Sequence, residues 1–164
     1  MSDKENKDLA IVGNQAPEFE LPDTDMHMRR LSEIRGTKTV LAFFPAAESP
    51  VCTREMCKFR DSLSELQSVD AAIIGISVDG PFANKIFSTN RNLNFPILSD
   101  YKREAISMYG IVMRDLGPLT DYYAAKRSIF VLDKEGKITY RWVTDNPLIE
   151  PDYDLIKTEL NKLY

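Results

Sequence analysis

The chain has 164 residues, of which 43% are hydrophobic and 28% are charged, and its formal net charge is −4. This length and composition are typical of a globular protein, and we expect a single domain over residues 1–164. The scattered basic residues give no electrostatic footprint for nucleic acid, and no apolar run approaches the roughly 20 residues of a membrane span. The polar N-terminus is not a secretory signal, so we expect a cytoplasmic protein without nucleic-acid or membrane partners.

The first third of the chain predicts short elements before a buried strand. Residues 1–10 are polar and are expected to form a loose arm. The alternating segment Ala16–Leu21 predicts an edge strand, and Pro22–Met28 predicts a turn or hairpin. Leu31–Ile34 predicts a short helical turn that ends at Gly36.

The segment that follows joins a strand to a long helix. Val40–Phe44 is an uncharged apolar run, which predicts a strand buried on both faces. Two prolines end the run. Beyond them, apolar residues recur at spacings of three and four, which predicts a helix over Cys52–Gln67.

The middle of the chain repeats this alternation. Ala71–Val78 predicts a second central strand, and a proline follows within a few residues. The next helix is expected to bury a face that contains Phe82, Ile86 and Phe87. Phe95–Leu98 predicts a short strand, and a helix is expected over Arg103–Tyr109, ended by Gly110.

The last third predicts an antiparallel pair and a final helix. Ser128–Asp133 and Ile138–Val143 flank a turn that contains Gly136, which is a hairpin signal. Pro151–Leu163 has the apolar spacing of an amphipathic helix. The order of the elements therefore predicts an α/β domain with a mixed central sheet flanked by helices.

Both cysteines of the chain lie where the first central strand meets the long helix. Cys52 is expected in the first turn of this helix, where unpaired N–H groups and the positive end of the helix dipole favour a thiolate. Ser49 places a hydroxyl three residues before Cys52. A cysteine in such a segment is equally often a small buried apolar residue, so position alone leaves both interpretations open.

The local sequence favours the reactive interpretation. The segment FPAAESPVCTREMCKFRD contains Pro45, Ser49 and Cys52 in the pattern P-x-x-x-[T/S]-x-x-C. It resembles the active-site segment of the peroxiredoxins, which are thiol peroxidases with a thioredoxin-like fold. The resemblance extends from QAPEFELPDTD to the last helix and includes an arginine within KRSIFVLDKEG. It implies that Cys52 is the peroxidatic cysteine, which attacks a peroxide and becomes a sulfenic acid.

Cys57 is the expected resolving thiol, but its spacing conflicts with an intact helix. Five residues of helix separate Cα atoms by about 7.5 Å in rise and about 140° in direction. A disulfide requires Cα atoms within about 7 Å and side chains that point together. Either the first turn unwinds after oxidation, or Cys57 is a core residue and a separate thiol reduces Cys52. The resemblance to bacterioferritin-comigratory peroxiredoxins, some of which have this spacing and unfold locally, favours unwinding.

Three other residues complete the expected site. In the family, an arginine at the position of Arg127 lies beside the peroxidatic cysteine, the counterpart of Pro45 covers the pocket, and that of Ser49 binds the peroxide. Judged from the residues alone, Arg127 is a surface charge, Pro45 ends a strand and Ser49 caps a helix. Glu48 departs from relatives that have an aromatic residue there, and its carboxylate either opposes the thiolate or points to solvent.

The resemblance implies a peroxidase that reduces hydrogen peroxide and alkyl hydroperoxides and is recycled by thioredoxin or a similar donor, as a monomer or homodimer. It requires no cofactor, and the lone His27 gives little support for a zinc site or a Cys–His protease. The alternatives are a redox relay or holdase on the same fold, a peroxidase with a structural Cys57, and a structural domain with inert cysteines.

Overall fold

A five-stranded mixed β-sheet forms the centre of the protein in a computed structural model, which describes residues 9–164. The strands are β1 (Glu20–Pro22), β2 (Met28–Arg30), β3 (Lys38–Phe43), β4 (Ala71–Ser77), β5 (Ile97–Ser99), β6 (Val112–Met113), β7 (Ala124–Ala125), β8 (Ser128–Leu132) and β9 (Ile138–Val143). The α-helices are α1 (Pro50–Gln67), α2 (Pro81–Asn90), α3 (Glu104–Met108) and α4 (Tyr153–Asn161). A 3₁₀ turn at Leu31–Ile34 matches the helical turn predicted there.

The central sheet has the strand order β5-β4-β3-β8-β9. Strands β3, β4 and β5 are parallel, whereas β8 is antiparallel to β3 and β9 is antiparallel to β8. The predicted α/β architecture with a mixed central sheet is therefore confirmed.

Strand β3 is buried on both faces, as the apolar run predicts. Val40 and Ala42 pack with residues of α1, α2 and α4 on one face of the sheet. Leu41 and Phe43 pack on the opposite face with residues of α3, β1 and the loops around them. Because both layers exclude water, neither set of alternate residues needs to be polar.

Sheet topology brings two distant segments to one edge. Phe43 ends β3 and pairs with Ser128, which begins β8, because the two strands are antiparallel. The loop that follows Phe43 leads into α1, and Arg127 directly precedes β8. The fold therefore places Arg127 beside the first turn of α1.

Several element boundaries differ from the prediction. Ala16–Leu21 was expected to be a strand, but only Glu20–Pro22 pairs, with Met28–Arg30 across the predicted hairpin. The short strand predicted at Phe95–Leu98 begins at Ile97. Phe19 O and Pro96 O each accept one backbone hydrogen bond, from Leu31 N and Gly75 N, but the paired registers begin only at Glu20 and Ile97.

The ends of other elements shift by one or two residues. Helix α1 begins at Pro50, which suits the first helical turn because proline has no N–H to leave unpaired. The final helix begins at Tyr153, where the Asp152 side chain accepts a hydrogen bond from Leu155 N. Helix α3 ends before Gly110, whose φ of 66° ends the helix as expected.

The predicted burial of two residues of α2 was wrong. Phe82 and Ile86 were expected to face the core together with Phe87, but they are 75% and 60% exposed. Helix α2 buries Phe87, as expected, and Asn84.

The loose arm predicted for residues 1–10 lies mostly outside the described residues, but Ala10 is buried. The β6–β7 pair was not predicted at all. No helix within residues 9–164 is long and apolar enough to cross a bilayer.

Candidate active site

Arg127 contacts Cys52 directly. Its Nη2 atom lies 3.3 Å from Cys52 Sγ and also donates to the carbonyl oxygen of Pro147 at 2.7 Å. Arg127 is 1% exposed, so the surface charge that the residue type favours is wrong for this position. A buried guanidinium at hydrogen-bond distance stabilises negative charge on the sulfur.

Glu55 holds the guanidinium from the other side. Its Oε1 atom accepts from Arg127 Nη1 at 2.9 Å, and both side chains are buried. Burial raises the pKa of the Glu55 carboxyl from 4.5 to about 7, although the charge of Arg127 opposes the shift. The second carboxyl oxygen, Oε2, has no hydrogen-bond partner, which accounts for the incomplete compensation.

Cys52 and Arg127 line a pocket of about 260 Å³. Cys52 is fully buried but forms part of the pocket wall, so it is not sealed within apolar packing alone. Most of the other lining residues are apolar, and Leu116 and Leu148 belong to two different loops, the β6–β7 and β9–α4 connections. The arrangement presents one nucleophile and one cation at the end of an apolar recess.

The end of α1 adds further donors. The first hydrogen bond at this end of the helix runs from Thr53 N to Ser49 O at 2.9 Å, so the N–H groups of Val51 and Cys52 have no helix carbonyl to bond. The Ser49 side chain does not cap them, since its Oγ donates to Ala46 O at 2.9 Å. These amides remain available to an anion or a polarised oxygen beside the sulfur.

The loop before α1 is anchored to the next strand–helix unit. Ala47 N donates to Asp79 Oδ2 at 2.8 Å, and Arg91 Nη2 pairs with Glu48 Oε2 at 2.8 Å. Glu48 has a φ of 65° and is partly exposed, so its carboxylate points towards solvent and Arg91 rather than towards Cys52. Pro45 and Ser49 both line the pocket.

Cys57 lies apart from this cluster. Helix α1 is continuous through both cysteines, and both are free thiols, Cys52 buried and Cys57 half-buried. Their spacing along an intact helix is that of the sequence argument, about 7.5 Å in rise. The site in this state therefore brings together Pro45, Ser49, Cys52 and Arg127, whereas Cys57 requires a backbone change to join them.

Sequence reasoning missed two residues of this site. Glu55 lies three positions after Cys52 and hence on the same helix face, where a lone carboxylate among apolar residues signals a buried partner. Asp79 follows the second central strand, but nothing in its local sequence indicates a contact with Ala47, which lies 32 positions earlier.

The comparisons with known proteins identify the family. The AhpC/TSA family profile matches residues 12–141. The chain belongs to the AhpC/TSA family. Peroxiredoxin Bcp of Bacillus subtilis is 33% identical over 133 residues, which are 80% of this chain and 83% of the relative.

Solved structures agree with this assignment. The crystal structure of peroxidoxin BcpB from Mycobacterium tuberculosis matches with a TM-score of 0.80 and 32% identity, over 93% of this chain and 97% of that one. A peroxiredoxin-like protein from Aquifex aeolicus matches with a TM-score of 0.82 and 27% identity, over 93% of this chain and 87% of that one. The expected thioredoxin-like fold and the membership of the peroxiredoxins, a class of thiol peroxidases, are confirmed.

Proposed function

We propose that this peroxiredoxin reduces hydrogen peroxide and alkyl hydroperoxides with Cys52 as the peroxidatic nucleophile. The observation that carries the proposal is the 3.3 Å contact between Arg127 Nη2 and Cys52 Sγ at the end of an open pocket. A structural cysteine has no need of a buried cation or of a recess that leads to it. The same contact argues against inert cysteines and against a slow redox relay.

In the first step, the Cys52 thiolate attacks one peroxide oxygen. A sulfur–oxygen bond forms and the oxygen–oxygen bond breaks, and the peroxide proton passes to the leaving oxygen, which departs as an alcohol or water. The sulfenate that remains on Cys52 takes a proton from solvent and becomes the sulfenic acid. Negative charge moves from the sulfur to the leaving oxygen during this step. Arg127 and the free amides of the first turn of α1 are positioned to stabilise both ends of this movement.

Pro45 and Ser49 have supporting roles in the proposal. Pro45 forms part of the pocket wall and limits the water that reaches the sulfur. The Ser49 hydroxyl donates to Ala46 O and retains lone pairs that accept a hydrogen bond from the peroxide O–H. The peroxide is thereby oriented with one oxygen towards the sulfur.

Cys57 is proposed to resolve the sulfenic acid. Its thiolate attacks the sulfur of Cys52, a disulfide forms, and the sulfenic oxygen leaves as water after taking a proton. Because α1 is continuous between the cysteines, the step requires the first turns of the helix to unwind. A thioredoxin-like dithiol then reduces the disulfide, in keeping with the reducing cytoplasm that we expect for this protein. Whether the protein acts as a monomer or as a homodimer stays a prediction.

Mass spectrometry after one equivalent of hydrogen peroxide tests the proposal. We expect the unsubstituted protein to lose two hydrogens and to form an intramolecular disulfide, which thioredoxin reduces. Cys57→Ser is expected to stop at the sulfenic acid, and Cys52→Ser is expected to remain unmodified and inactive. Normal turnover by Cys52→Ser contradicts the proposal, and normal thioredoxin-dependent turnover by Cys57→Ser restricts it to a peroxidase with a structural Cys57.

A further inference from the structure

The loop between β9 and α4 is fastened to the part of α1 that separates the two cysteines. Glu150 Oε2 lies 3.6 Å from Arg54 Nε, and Glu150 Oε1 lies 3.9 Å from Lys58 Nζ. Arg54 falls between Cys52 and Cys57 in the sequence, and Lys58 directly follows Cys57. One carboxylate therefore joins two consecutive turns of the helix that must unwind.

Tyr153 fixes this carboxylate in place. Its hydroxyl donates to Glu150 Oε1 at 2.8 Å, and its ring packs edge-on against Phe59 with centroids 5.5 Å apart. The Lys58 ammonium also lies 4.6 Å from the centroid of the Tyr153 ring. Burial and the bond to Glu150 raise the pKa of the Tyr153 hydroxyl, which therefore stays a donor at physiological pH. Glu150 is thus held in one position rather than being a free surface charge.

The same loop also reaches the pocket. Pro147 O accepts from Arg127 Nη2, and Leu148 lines the recess above Cys52. The loop accordingly touches the site of the first step through Pro147 and the site of the second step through Glu150. Unwinding of α1 at Arg54 has to separate that residue from Glu150.

We propose that Glu150 is a positioning residue for the resolving step, because its ion pairs with Arg54 and Lys58 hold the first turns of α1 closed and set the rate at which Cys57 reaches Cys52. We refer to these three residues as the Glu150 clasp. The inference rests on the proposed Cys52–Cys57 disulfide. The clasp lengthens the lifetime of the sulfenic acid, and a long-lived sulfenic acid is exposed to a second peroxide that oxidises it to sulfinic acid.

The chain offers a matched control. Lys157 of α4 pairs with Glu65 of α1 at 2.7 Å, so this ion pair also holds α1 to a neighbouring element, but beyond the segment between the cysteines. Glu65→Gln therefore removes an α1–α4 ion pair without touching the segment that unwinds. Glu150→Gln removes the charge of the clasp, and the glutamine oxygen can still accept from the Tyr153 hydroxyl.

The test measures disulfide formation by rapid quenching and mass spectrometry after one equivalent of hydrogen peroxide. Glu150→Gln is expected to form the disulfide roughly two- to fivefold faster, since exposed ion pairs contribute modestly. Oxidation of Cys52 itself should proceed at the unsubstituted rate, and Glu65→Gln should match the unsubstituted protein in both steps. Yield of sulfinic acid under excess peroxide should fall in Glu150→Gln alone.

Salt and a combined variant separate the clasp from general destabilisation. Added salt screens exposed ion pairs, so it should accelerate resolution in the unsubstituted protein but not in Glu150→Gln. Arg54→Gln combined with Lys58→Gln should reproduce the acceleration, and adding Glu150→Gln should have no further effect. If the disulfide forms at the same rate in Glu150→Gln and in the unsubstituted protein, the role proposed for the Glu150 clasp is wrong, but the proposed disulfide is not affected. Absence of any Cys52–Cys57 disulfide in the unsubstituted protein overturns the proposed resolution and the clasp with it.

Discussion

Arg127 Nη2 lies 3.3 Å from Cys52 Sγ, although the two residues are 75 positions apart in the chain. The contact depends on the antiparallel pairing of β3 with β8, which brings the end of one strand beside the start of the other. It also depends on Glu55, which occupies the other end of the guanidinium. A single arginine thus links the sheet, the helix and the pocket.

Replacement of Arg127 should slow the oxidation of Cys52 by peroxide. In Arg127→Lys a charge remains, but one ammonium cannot serve Cys52, Glu55 and Pro147 together in the geometry of the guanidinium. We expect the second-order rate of Cys52 oxidation to fall by roughly 10²- to 10³-fold, the usual cost of losing a transition-state donor. Stopped-flow measurement with hydrogen peroxide checks this value. A loss of less than threefold contradicts the role assigned to Arg127.

Glu55 should make the stability of the protein depend on pH. Its pKa is raised from 4.5 in the unfolded chain to about 7 in the fold, so the folded state binds the proton more tightly. The contribution of Glu55 to the free energy of unfolding should therefore be fully present below pH 4.5 and be lost as the pH rises through 7, a change of about 3 kcal/mol.

Urea unfolding of Glu55→Gln between pH 4 and pH 8 measures this contribution. In Glu55→Gln, the free energy of unfolding should no longer fall as the pH approaches 7. The fall at lower pH should remain, because it includes the contribution of Asp100, whose pKa burial raises to about 6. Exposed Glu65 provides the control, because Glu65→Gln should leave the profile unchanged. An identical profile in Glu55→Gln and the unsubstituted protein contradicts the prediction.

Asp79 should position the loop that forms the pocket wall. Its carboxylate accepts from Ala47 N, and its carbonyl oxygen accepts from Ser99 Oγ at 2.6 Å and from Asn84 Nδ2 at 3.3 Å. Because these side chains hold the backbone, Asp79→Ala removes the loop contact while the backbone stays in place. We expect Cys52 oxidation to slow by roughly ten- to a hundredfold, as a misplaced pocket wall disturbs alignment.

Asp79→Asn is the matched variant, since its amide oxygen can accept the same bond from Ala47 N. Its rate should lie within about threefold of the unsubstituted protein, as one neutral hydrogen bond replaces a charged one. Equal rates of Cys52 oxidation in Asp79→Ala and Asp79→Asn would show that the hydrogen bond from Ala47 N to Asp79 does not position the pocket wall.

Leu148 should affect the choice of peroxide. It lines the pocket and is 72% exposed, so it offers an apolar surface to a substrate larger than hydrogen peroxide. Leu148→Ser is expected to lower kcat/KM for cumene hydroperoxide by roughly three- to tenfold, because apolar contact with the substrate is lost. The value for hydrogen peroxide should stay constant. Leu119→Ser, at an exposed leucine outside the pocket lining, should change neither value.

The sequence predicted the parts of the fold that depend on local pattern. The apolar run at Val40–Phe44 predicts β3 because every residue of this strand is buried. Apolar residues at spacings of three and four after Cys52 predict α1 because they form its buried face. The two-residue strands β6 and β7 have no such pattern. The exposure of Phe82 and Ile86 also departs from pattern, since α2 turns the polar Asn84 inward to bond Ser77 and Asp79.

The same division holds for the site. Cys52, Pro45 and Ser49 lie in one short segment, so a local motif is enough to find them. Glu55 has only an indirect signal, its place on the apolar face of α1. Asp79 becomes recognisable only when the fold supplies its partner Ala47, because a carboxylate in a sequence normally indicates an exposed residue. Contacts that depend on the pairing of distant strands cannot be predicted from short sequence patterns.

The unbroken course of α1 through both cysteines has a consequence for the order of events. A disulfide there demands a different backbone, so a reductant that recognises the opened segment meets the enzyme only after peroxide has reacted. In the proposed cycle, the continuous helix therefore makes reaction with the oxidant precede reaction with the electron donor.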